Sequence, residues 1–189
     1  MDNIYWNNFY KNQNHILESS DFAKFIFNYI KKFNKKFNIL ELGSGNGRDS
    51  YYLAQEHYVS GCDMSFKPND KENCTFIIDN MINIDKSNYD LIYSRFSFHS
   101  ITDEDQDKLL ESIKTPIILC IETRSIKGLY DTRIFGDDHF RNLTNIDKLK
   151  ELLEKYNFKI LYIVEDKNFA IYKNENPICI RVICQKIVN

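Results

Sequence analysis

The sequence predicts an α/β fold, a doubly wound and mostly parallel sheet with helices on both faces. Three observations predict it. Short apolar segments alternate with segments of helical periodicity along the chain. The first apolar segment runs into Gly43, Gly45 and Gly47, a turn that suits a strand leading directly into a helix. The 189 residues are enough for a single domain with a full hydrophobic core.

The elements follow from local signals. The first helix is predicted to begin after Ser20, whose hydroxyl can cap it, because Phe22, Ile26 and Ile30 recur at helical spacing. Asn145 can cap the last helix in the same way. Strands are predicted near 37–42, 58–63, 75–78, 89–94, 116–121, 158–164 and 178–186, with helices near 47–56, 103–114 and 145–156. The polar stretch 123–144 is predicted to be irregular.

The charge balance excludes several classes of function. With 25 basic and 27 acidic residues the net charge is −2, which gives no electrostatic basis for binding nucleic acid or an anionic membrane. No apolar run is long enough to span a bilayer, and the first residues lack the features of a signal peptide. Five cysteines without C-x-x-C spacing indicate reduced thiols and a cytoplasmic protein. The richness in Asn, Ile and Lys indicates a bacterial source, and the oligomeric state is not predicted.

The glycine-rich turn predicts a nucleotide-type ligand. Alternating glycines let a ligand touch the backbone, and the following helix directs its free N–H groups at the turn. A dinucleotide fingerprint needs G-x-G-x-x-G, but the third glycine comes one residue early and Arg48 takes its place. A phosphate-binding P-loop needs a lysine after its last glycine, which is also missing. The alternative is a glycine-rich turn that binds no ligand.

The pattern Glu41-x-Gly43-x-Gly45-x-Gly47 resembles the first motif of class I S-adenosylmethionine-dependent methyltransferases. The resemblance implies a Rossmann-like sheet of seven strands with a C-terminal antiparallel hairpin, and S-adenosylmethionine as the cofactor. It also implies one domain over 1–189, with an N-terminal lid or helix (1–35), a cofactor-binding half (36–122) and an acceptor-loop and C-terminal half (123–189).

Further family motifs extend the predicted cofactor site. Asp63 follows the second strand, twenty residues after Gly43, where an acidic side chain binds the ribose hydroxyls. Asp79 is expected to bind the adenine amino group and Met81 to lie against the ring, although the same segment would serve as a strand that ends in an Asx turn. The cofactor-binding set expected from the resemblance is Tyr10, Glu41, Gly43, Ser44, Gly45, Asp63, Met64, Asp79, Asn80, Met81 and Ser94.

Arg95 and His99 are the predicted catalytic residues. They follow the fourth strand, where the family places residues that face both cofactor and acceptor. Histidine titrates near neutrality and could remove a proton from an acceptor hydroxyl. If the acceptor is already anionic, His99 would orient it instead. The alternative is a loop histidine that packs or caps the helix beginning near Asp103.

The irregular stretch after the fifth strand is the predicted acceptor site. Long structureless loops in compact domains are usually functional. Its arginines and His139 suit an anionic acceptor, because a guanidinium binds carboxylate or phosphate through two N–H groups. The predicted acceptor-binding residues are Tyr5, Arg124, Asp131, His139 and Arg141. The alternatives are a salt-bridged surface loop and a metal site from His139 with Asp131 or Asp138, and no metal is predicted.

A narrower resemblance spans nearly the whole chain. It is similar to a bacterial methyltransferase subgroup from capsule and surface-polysaccharide gene clusters. The residues that carry it are Tyr5-Trp6-x-x-Phe9-Tyr10, Ser20, Phe22, Arg95-Phe96-x-x-His99-Ser100-Ile101, Glu122-x-Arg124, Asp138-His139-Phe140-Arg141 and Asn176-Pro177-x-x-x-Arg181. In that subgroup Tyr5, Trp6 and Tyr10 would cover the sulfonium and carboxylate. The alternative is an amphipathic helix anchored on the core.

The function expected is methylation of a small, polar, anionic or sugar-linked acceptor. O-methylation of a glycan precursor, or of its phosphate-type substituent, fits the arginine-rich stretch best. The alternatives are a non-catalytic cofactor-binding or regulatory module and an N-methyltransferase of another small metabolite. A nicotinamide dehydrogenase is disfavoured by Arg48.

Overall fold

The computed structural model describes residues 3–12, 18–128, 140–171 and 174–188, and in the first helix the side chains of residues 5–10. The elements of these ranges are, in chain order, α1 Asn3–Asn12, α2 Asp21–Lys31, β1 Asn38–Leu42, α3 Arg48–Leu53, β2 Tyr58–Asp63, β3 Cys74–Ile78, β4 Leu91–Arg95, α4 Asp103–Ser112, β5 Ile118–Arg124, α5 Ile146–Lys155, β6 Phe158–Asp166 and β7 Cys179–Lys186. Short 3₁₀ helices lie at Phe98–Ser100 and Ile126–Gly128.

The seven strands form one sheet in the order β3-β2-β1-β4-β5-β7-β6. Strands β1 to β5 are parallel, and β7 runs antiparallel between β5 and β6. The predicted fold class is therefore confirmed, including the strand number and the antiparallel hairpin. The strand order reverses between β1 and β4, and in α/β sheets the crevice at such a point is where ligands bind.

Two hydrophobic clusters cover the two faces of the sheet. One contains α4 and α5 residues such as Leu109 and Leu153, and the other contains α2 residues such as Phe22 and Ile26. Helix α2 begins where predicted, since the Ser20 hydroxyl accepts a hydrogen bond from the backbone N–H of Ala23. The central strands are buried on both faces, which explains their continuous apolar sequences.

The main difference from the predicted elements is the length of β5. The strand continues to Arg124, into the stretch that was expected to be irregular. Pairing across the sheet explains this, because Arg124 lies opposite Cys179 of β7 in the antiparallel ladder. A bridge between Ser125 and Thr144 then joins the two ends of the segment that contains residues 129–139.

The five cysteines are free thiols and all are buried, as expected. In the described part of the chain, no helix has the length and apolarity needed to cross a membrane. The division of the domain at residues 35 and 122 stays a prediction.

Candidate active site

A cavity of about 550 Å³ opens at the carboxyl ends of the parallel strands, beside the glycine turn. This volume is in the range of small-molecule sites. Many of the predicted site residues line it: Tyr5, Tyr10, Glu41, Gly43, Ser44, Asp63, Met64, Asp79, Met81, Arg95, His99, Arg124 and Arg141. The predicted acceptor residues Asp131 and His139, and Asp138 of the metal alternative, lie outside the described residues.

The glycine turn is built on backbone conformations that other residues rarely adopt. Gly43, Gly45 and Gly47 all have positive φ, at 72°, 52° and 76°. A Cβ atom on Gly43 would lie 2.5 Å from Cβ of Ser97, which follows β4. The N–H of Gly43 donates to the carbonyl of Cys62 at 2.8 Å, which ties the turn to β2. Glycine is therefore required at position 43 by conformation and by space.

Gly45 has a different neighbour. A Cβ atom there would lie 2.4 Å from the ring of Tyr10 in α1, and Gly45 is not among the residues that line the cavity. Burial, together with the negative charge of Asp63, raises the pKa of Tyr10. Tyr10 also packs near Phe66, with ring centroids 5.9 Å apart. Helix α1 is thus seated directly on the glycine turn, through a contact that only glycine permits.

Asp63 ends β2 and faces the cavity. Its Oδ2 accepts the N–H of Gly45 at 2.9 Å, and its Oδ1 accepts the N–H and the hydroxyl of Ser65 at 2.8 and 2.7 Å. A carboxylate accepts about four hydrogen bonds, so one position is left for a ligand hydroxyl. Asp79 accepts the N–H of Asn80 through Oδ1 only. Its second oxygen can therefore accept from a ligand amino group.

Two further predicted cofactor residues do not line the cavity. The side chain of Asn80 caps a turn, accepting the N–H of Ile82 at 3.0 Å. The hydroxyl of Ser94 is buried and lies 2.7 Å from that of Ser97. Ser97 lines the cavity instead and donates to the carbonyl of Leu42 at 2.6 Å. Direct contact of Asn80 and Ser94 with the cofactor stays a prediction.

Two buried carboxyl groups lie behind the turn. Asp49, in the first turn of α3, accepts hydrogen bonds from the Ser20 N–H, the Ser20 hydroxyl and the Tyr93 hydroxyl, at 2.6–2.7 Å. Glu41 accepts one from the Ser50 hydroxyl. Burial, with the charge of Asp49 beside it, raises the pKa of Glu41 well above its usual range. Burial and the neighbouring carboxylate thus disfavour the charged form of Glu41.

Ion pairs that cross the sheet lie behind the part of the cavity wall that Arg95 lines. The fully buried Glu122 of β5 accepts from Nε of Arg95 at 2.9 Å and from Nε of Arg181 at 2.6 Å. Arg181 also donates to the carbonyl of Phe169, at 3.0 Å, in the β6–β7 loop. Since Arg95 binds Glu122 through Nε, its two terminal nitrogens have no hydrogen bond to any described residue and the side chain lines the cavity.

A second ion pair, between Arg124 and Glu175, lies in the cavity wall. A terminal nitrogen of Arg124 donates to Glu175 at 3.0 Å, and Glu175 is buried in the β6–β7 loop. Both residues line the cavity. Arg124 was predicted as an acceptor ligand, whereas no sequence signal points to Glu175. The loop of the antiparallel hairpin therefore supplies part of the cavity wall.

His99 is buried and held by its Nδ1 atom. The backbone N–H of Arg124 donates to Nδ1 at 3.2 Å, and the Thr123 hydroxyl lies 3.1 Å from the same nitrogen. Because an amide N–H can only donate, Nδ1 is an acceptor, and the neutral ring carries its proton on Nε2. The unprotonated nitrogen of His99 is thus engaged by the Arg124 N–H, which favours the orienting role over the role of base.

No group of three or more His, Cys, Asp or Glu side chains suited to a metal ion occurs among residues 3–12, 18–128, 140–171 and 174–188.

The chain is similar to known methyltransferases in part of its sequence and in its fold. Residues 39–116 match the protein family described as "Methyltransferase domain". None of the curated proteins matches the sequence. The structure is similar to the 1,6-didemethyltoxoflavin-N1-methyltransferase of Burkholderia thailandensis, solved with 1,6-didemethyltoxoflavin and S-adenosylhomocysteine. That likeness has a TM-score of 0.69 at 13% identity and covers 94% of this chain and 83% of that one.

Two other solved structures are similar at a TM-score of 0.67 and 16% identity. One is a methyltransferase of Methanosarcina mazei, with coverage of 85% of this chain and 98% of that one. The other is from Clostridium acetobutylicum, with coverage of 89% and 91%. Both are described as dependent on S-adenosylmethionine. At these identities the structures establish the fold.

The cofactor implied is S-adenosylmethionine, and the residues of the cavity fit it. The glycine turn lies beside the cavity in conformations that favour glycine, and Gly43 and Ser44 line it. Asp63 and Asp79 keep acceptor positions for hydroxyl and amino groups. The aromatic rings of α1 suit a cationic sulfonium. Residues 39–116 thus match a methyltransferase domain, and the sheet has the fold of solved methyltransferases that depend on S-adenosylmethionine.

Proposed function

We propose that this S-adenosylmethionine-dependent methyltransferase methylates an oxygen atom of a small, anionic acceptor. The observation that carries the proposal is the charge of the ion-pair network at the acceptor end of the cavity. Among the described side chains, Arg95 and Arg124 line the cavity there. They pair with Glu122 and Glu175, and Glu122 also pairs with Arg181, which does not line the cavity. The terminal nitrogens of Arg95 have no hydrogen bond to a described residue, and a largely buried guanidinium is costly unless such groups have a partner. An anionic acceptor would supply that partner.

The chain's own contribution to the reaction is alignment. When bound, the cofactor supplies an electrophilic methyl group, and holding the two reactants in line accounts for much of the acceleration. We expect Asp63 and Asp79 to fix the nucleoside end. Tyr5, Trp6 and Tyr10 would line the sulfonium with aromatic faces and exclude water.

Arg124 and His99 would orient the acceptor. The backbone N–H of Arg124 donates to Nδ1 of the His99 ring at 3.2 Å, and this hydrogen bond joins the two residues. With Nδ1 so engaged, His99 offers its Nε2 proton to an acceptor oxygen rather than removing a proton from it. An anionic oxygen is nucleophilic without a base, so this arrangement suits a phosphate or carboxylate better than a neutral hydroxyl.

The narrower resemblance suggests a glycan precursor or its phosphate-type substituent as the acceptor, within capsule biosynthesis. The arginines support the anionic part of this proposal, and the subgroup pattern supports the sugar-linked part. We further propose that the protein acts in the bacterial cytoplasm, because its five cysteines are free thiols.

A labelling experiment tests the proposal. The enzyme is incubated with methyl-labelled S-adenosylmethionine and phosphorylated, nucleotide-linked, carboxylated and free neutral sugars. We expect label in an anionic member, and Asp63→Asn, which should weaken cofactor binding, serves as the background control. Label only in neutral sugars, in an amine or in macromolecules would contradict the anionic O-acceptor. Cofactor binding without any transfer would favour the regulatory module instead.

A further inference from the structure

Phe96 has a backbone conformation that is unusual for its residue type. In the described part of the chain, five non-glycine residues have positive φ, and the other four are Asn34, Asn73, Asn157 and Asn168. Asparagine tolerates this region because its short polar side chain bonds locally, whereas a bulky residue there is strained. Phe96, at φ 58°, is the exception, and it follows β4 at the edge of the cavity. Such outliers often mark functional sites.

The backbone turn at this position does not require phenylalanine. The N–H of Phe96 donates to the carbonyl of Glu122 at 2.8 Å, and the Ser100 hydroxyl donates to the carbonyl of Phe96 at 3.0 Å. Both bonds use main-chain atoms of residue 96, so glycine or asparagine could make the same turn without the strain. What those residues cannot supply is the ring.

The ring meets the two arginines of the acceptor end. The guanidinium carbon of Arg95 lies 4.4 Å from the ring centroid and that of Arg124 lies 5.4 Å from it. The His99 ring is 5.5 Å away, centroid to centroid. A guanidinium that lies on an aromatic ring keeps its N–H groups in its own plane, where they can bind an oxyanion. Arg95 and Arg124 are also tethered, by Glu122 and Glu175 respectively.

We propose that Phe96 is a positioning residue that holds Arg95 and Arg124 as a clamp for the oxyanion, phosphate or carboxylate, of the acceptor. This rests on the proposed function, since it names the part of the acceptor that the site recognises. The strained backbone is the consequence of directing an aromatic ring between a strand end and two arginines. The ring removes much of the freedom that two long side chains would otherwise lose on binding.

Inorganic phosphate and acetate are the probes that test the clamp. Each is titrated by calorimetry into the protein saturated with S-adenosylhomocysteine, for the wild type and for Phe96→Tyr, Phe96→Leu and Phe96→Gly. We expect saturable binding of at least one anion, retained in Phe96→Tyr. In Phe96→Leu and Phe96→Gly it should weaken about fivefold or more, as expected for the loss of two cation–π contacts. Which anion binds more tightly distinguishes a phosphate acceptor from a carboxylate.

Phe96→Gly separates the ring from the fold. Because glycine relieves the strain at φ 58°, its melting temperature should equal or exceed that of Phe96→Leu, while anion binding stays weak. Lys150→Ala, on the exposed surface of α5, is the matched control and should bind anions as the wild type does. Unchanged anion affinity in Phe96→Leu, or no anion binding by the wild type, would overturn the proposal.

Steady-state kinetics distinguish failure of the clamp from failure of the proposed function. With the labelled acceptor, Phe96→Leu should raise KM and leave the cofactor affinity unchanged. If an anionic acceptor is methylated with the same KM by Phe96→Leu, the function stands and the clamp fails. If anions bind and need the ring but only a neutral acceptor is methylated, the clamp stands and the proposed acceptor class fails.

Discussion

The two ends of the cavity are built from different parts of the polypeptide. The proposed cofactor end contains consecutive residues of one turn, whose positive-φ conformations and close side-chain neighbours require glycine. The proposed acceptor end is lined by long side chains such as Arg95 of β4, which Glu122 of β5 pairs with Arg181 of β7 behind the cavity wall. Damage to the first should appear in cofactor affinity, and damage to the second in stability and acceptor affinity.

The largest effect is expected at Glu122. Replacing it by leucine leaves Arg95 and Arg181 without their shared partner, and breaking such a buried pair costs about 3–5 kcal/mol. Denaturant unfolding measures the loss. Glu122→Gln keeps an acceptor oxygen and should lose less, and Glu151→Gln, at an exposed position of α5, should lose almost nothing. A change below about 1 kcal/mol for Glu122→Leu would mean that water replaces the carboxylate.

Gly43→Ala tests the glycine turn at the proposed cofactor end of the cavity. The left-handed conformation costs an alanine about 1–2 kcal/mol, and the contact with Ser97 adds about 1–3 kcal/mol. We expect the turn to shift and the affinity for S-adenosylhomocysteine to fall about 30-fold or more, measured by calorimetry. Gly61→Ala is the control, because its methyl group also meets a side chain, Phe76, at 2.6 Å, but without positive φ. It should lose stability and keep more of the affinity.

Asp63→Asn should have the next largest effect, a loss of cofactor affinity. The side chain keeps its size and one carbonyl oxygen, but loses the charge that the proposed ribose hydroxyls would meet. Cofactor affinity should fall by about 1–3 kcal/mol, the loss typical of a hydrogen bond to a charged group. Asp85→Asn, at an exposed carboxylate that accepts from Ser87, is the control. Equal affinity in Asp63→Asn and the wild type would place the ribose elsewhere.

Glu41 should make cofactor binding depend on pH. Its pKa is raised by burial first and by Asp49 second, so the cofactor-free protein holds a proton there above the usual carboxyl range. If the cofactor's cationic end lies beside Glu41, binding lowers that pKa and releases the proton. Affinity should then rise with pH, by at most tenfold per unit, until the raised pKa is passed. Calorimetry in two buffers of different ionisation enthalpy detects the proton, and Glu41→Gln should abolish the slope.

The contrast between the glycine turn and the side chains at the other end of the cavity also explains which site residues the sequence could predict. Gly43, Asp63 and Asp79 are recognisable because a tight turn demands glycine locally and because strand ends place acids at regular spacing. Glu175 is not recognisable, since its partner Arg124 is 51 residues away and meets it only through the β5–β7 register. Asp49 could have been noticed as an acid in the first turn of α3, but that position usually only complements the helix dipole.

The backbone conformation of Phe96 is a second feature that the sequence alone could not predict. Nothing in the sequence indicates a left-handed backbone at a phenylalanine, because that conformation depends on where β4 ends against β5. The length of β5 was missed for a similar reason. Its polar end, Thr123 and Arg124, looks irregular alone and becomes a strand only when β7 lies beside it.

The smallest effect is expected at His99, and it decides between orientation and base catalysis. Nδ1 accepts the N–H of Arg124, so the ring should serve mainly to hold Arg124 and to donate from Nε2. In His99→Asn the amide oxygen can take the place of Nδ1 and keep this hydrogen bond, although asparagine is no base. The orienting role predicts that kcat falls less than about tenfold in His99→Asn and further in His99→Ala, with cofactor affinity unchanged in both. A general base predicts instead that both variants lose about 10²–10⁴-fold in kcat. Equal, large losses in both variants would therefore contradict the orienting role and restore His99 as the base.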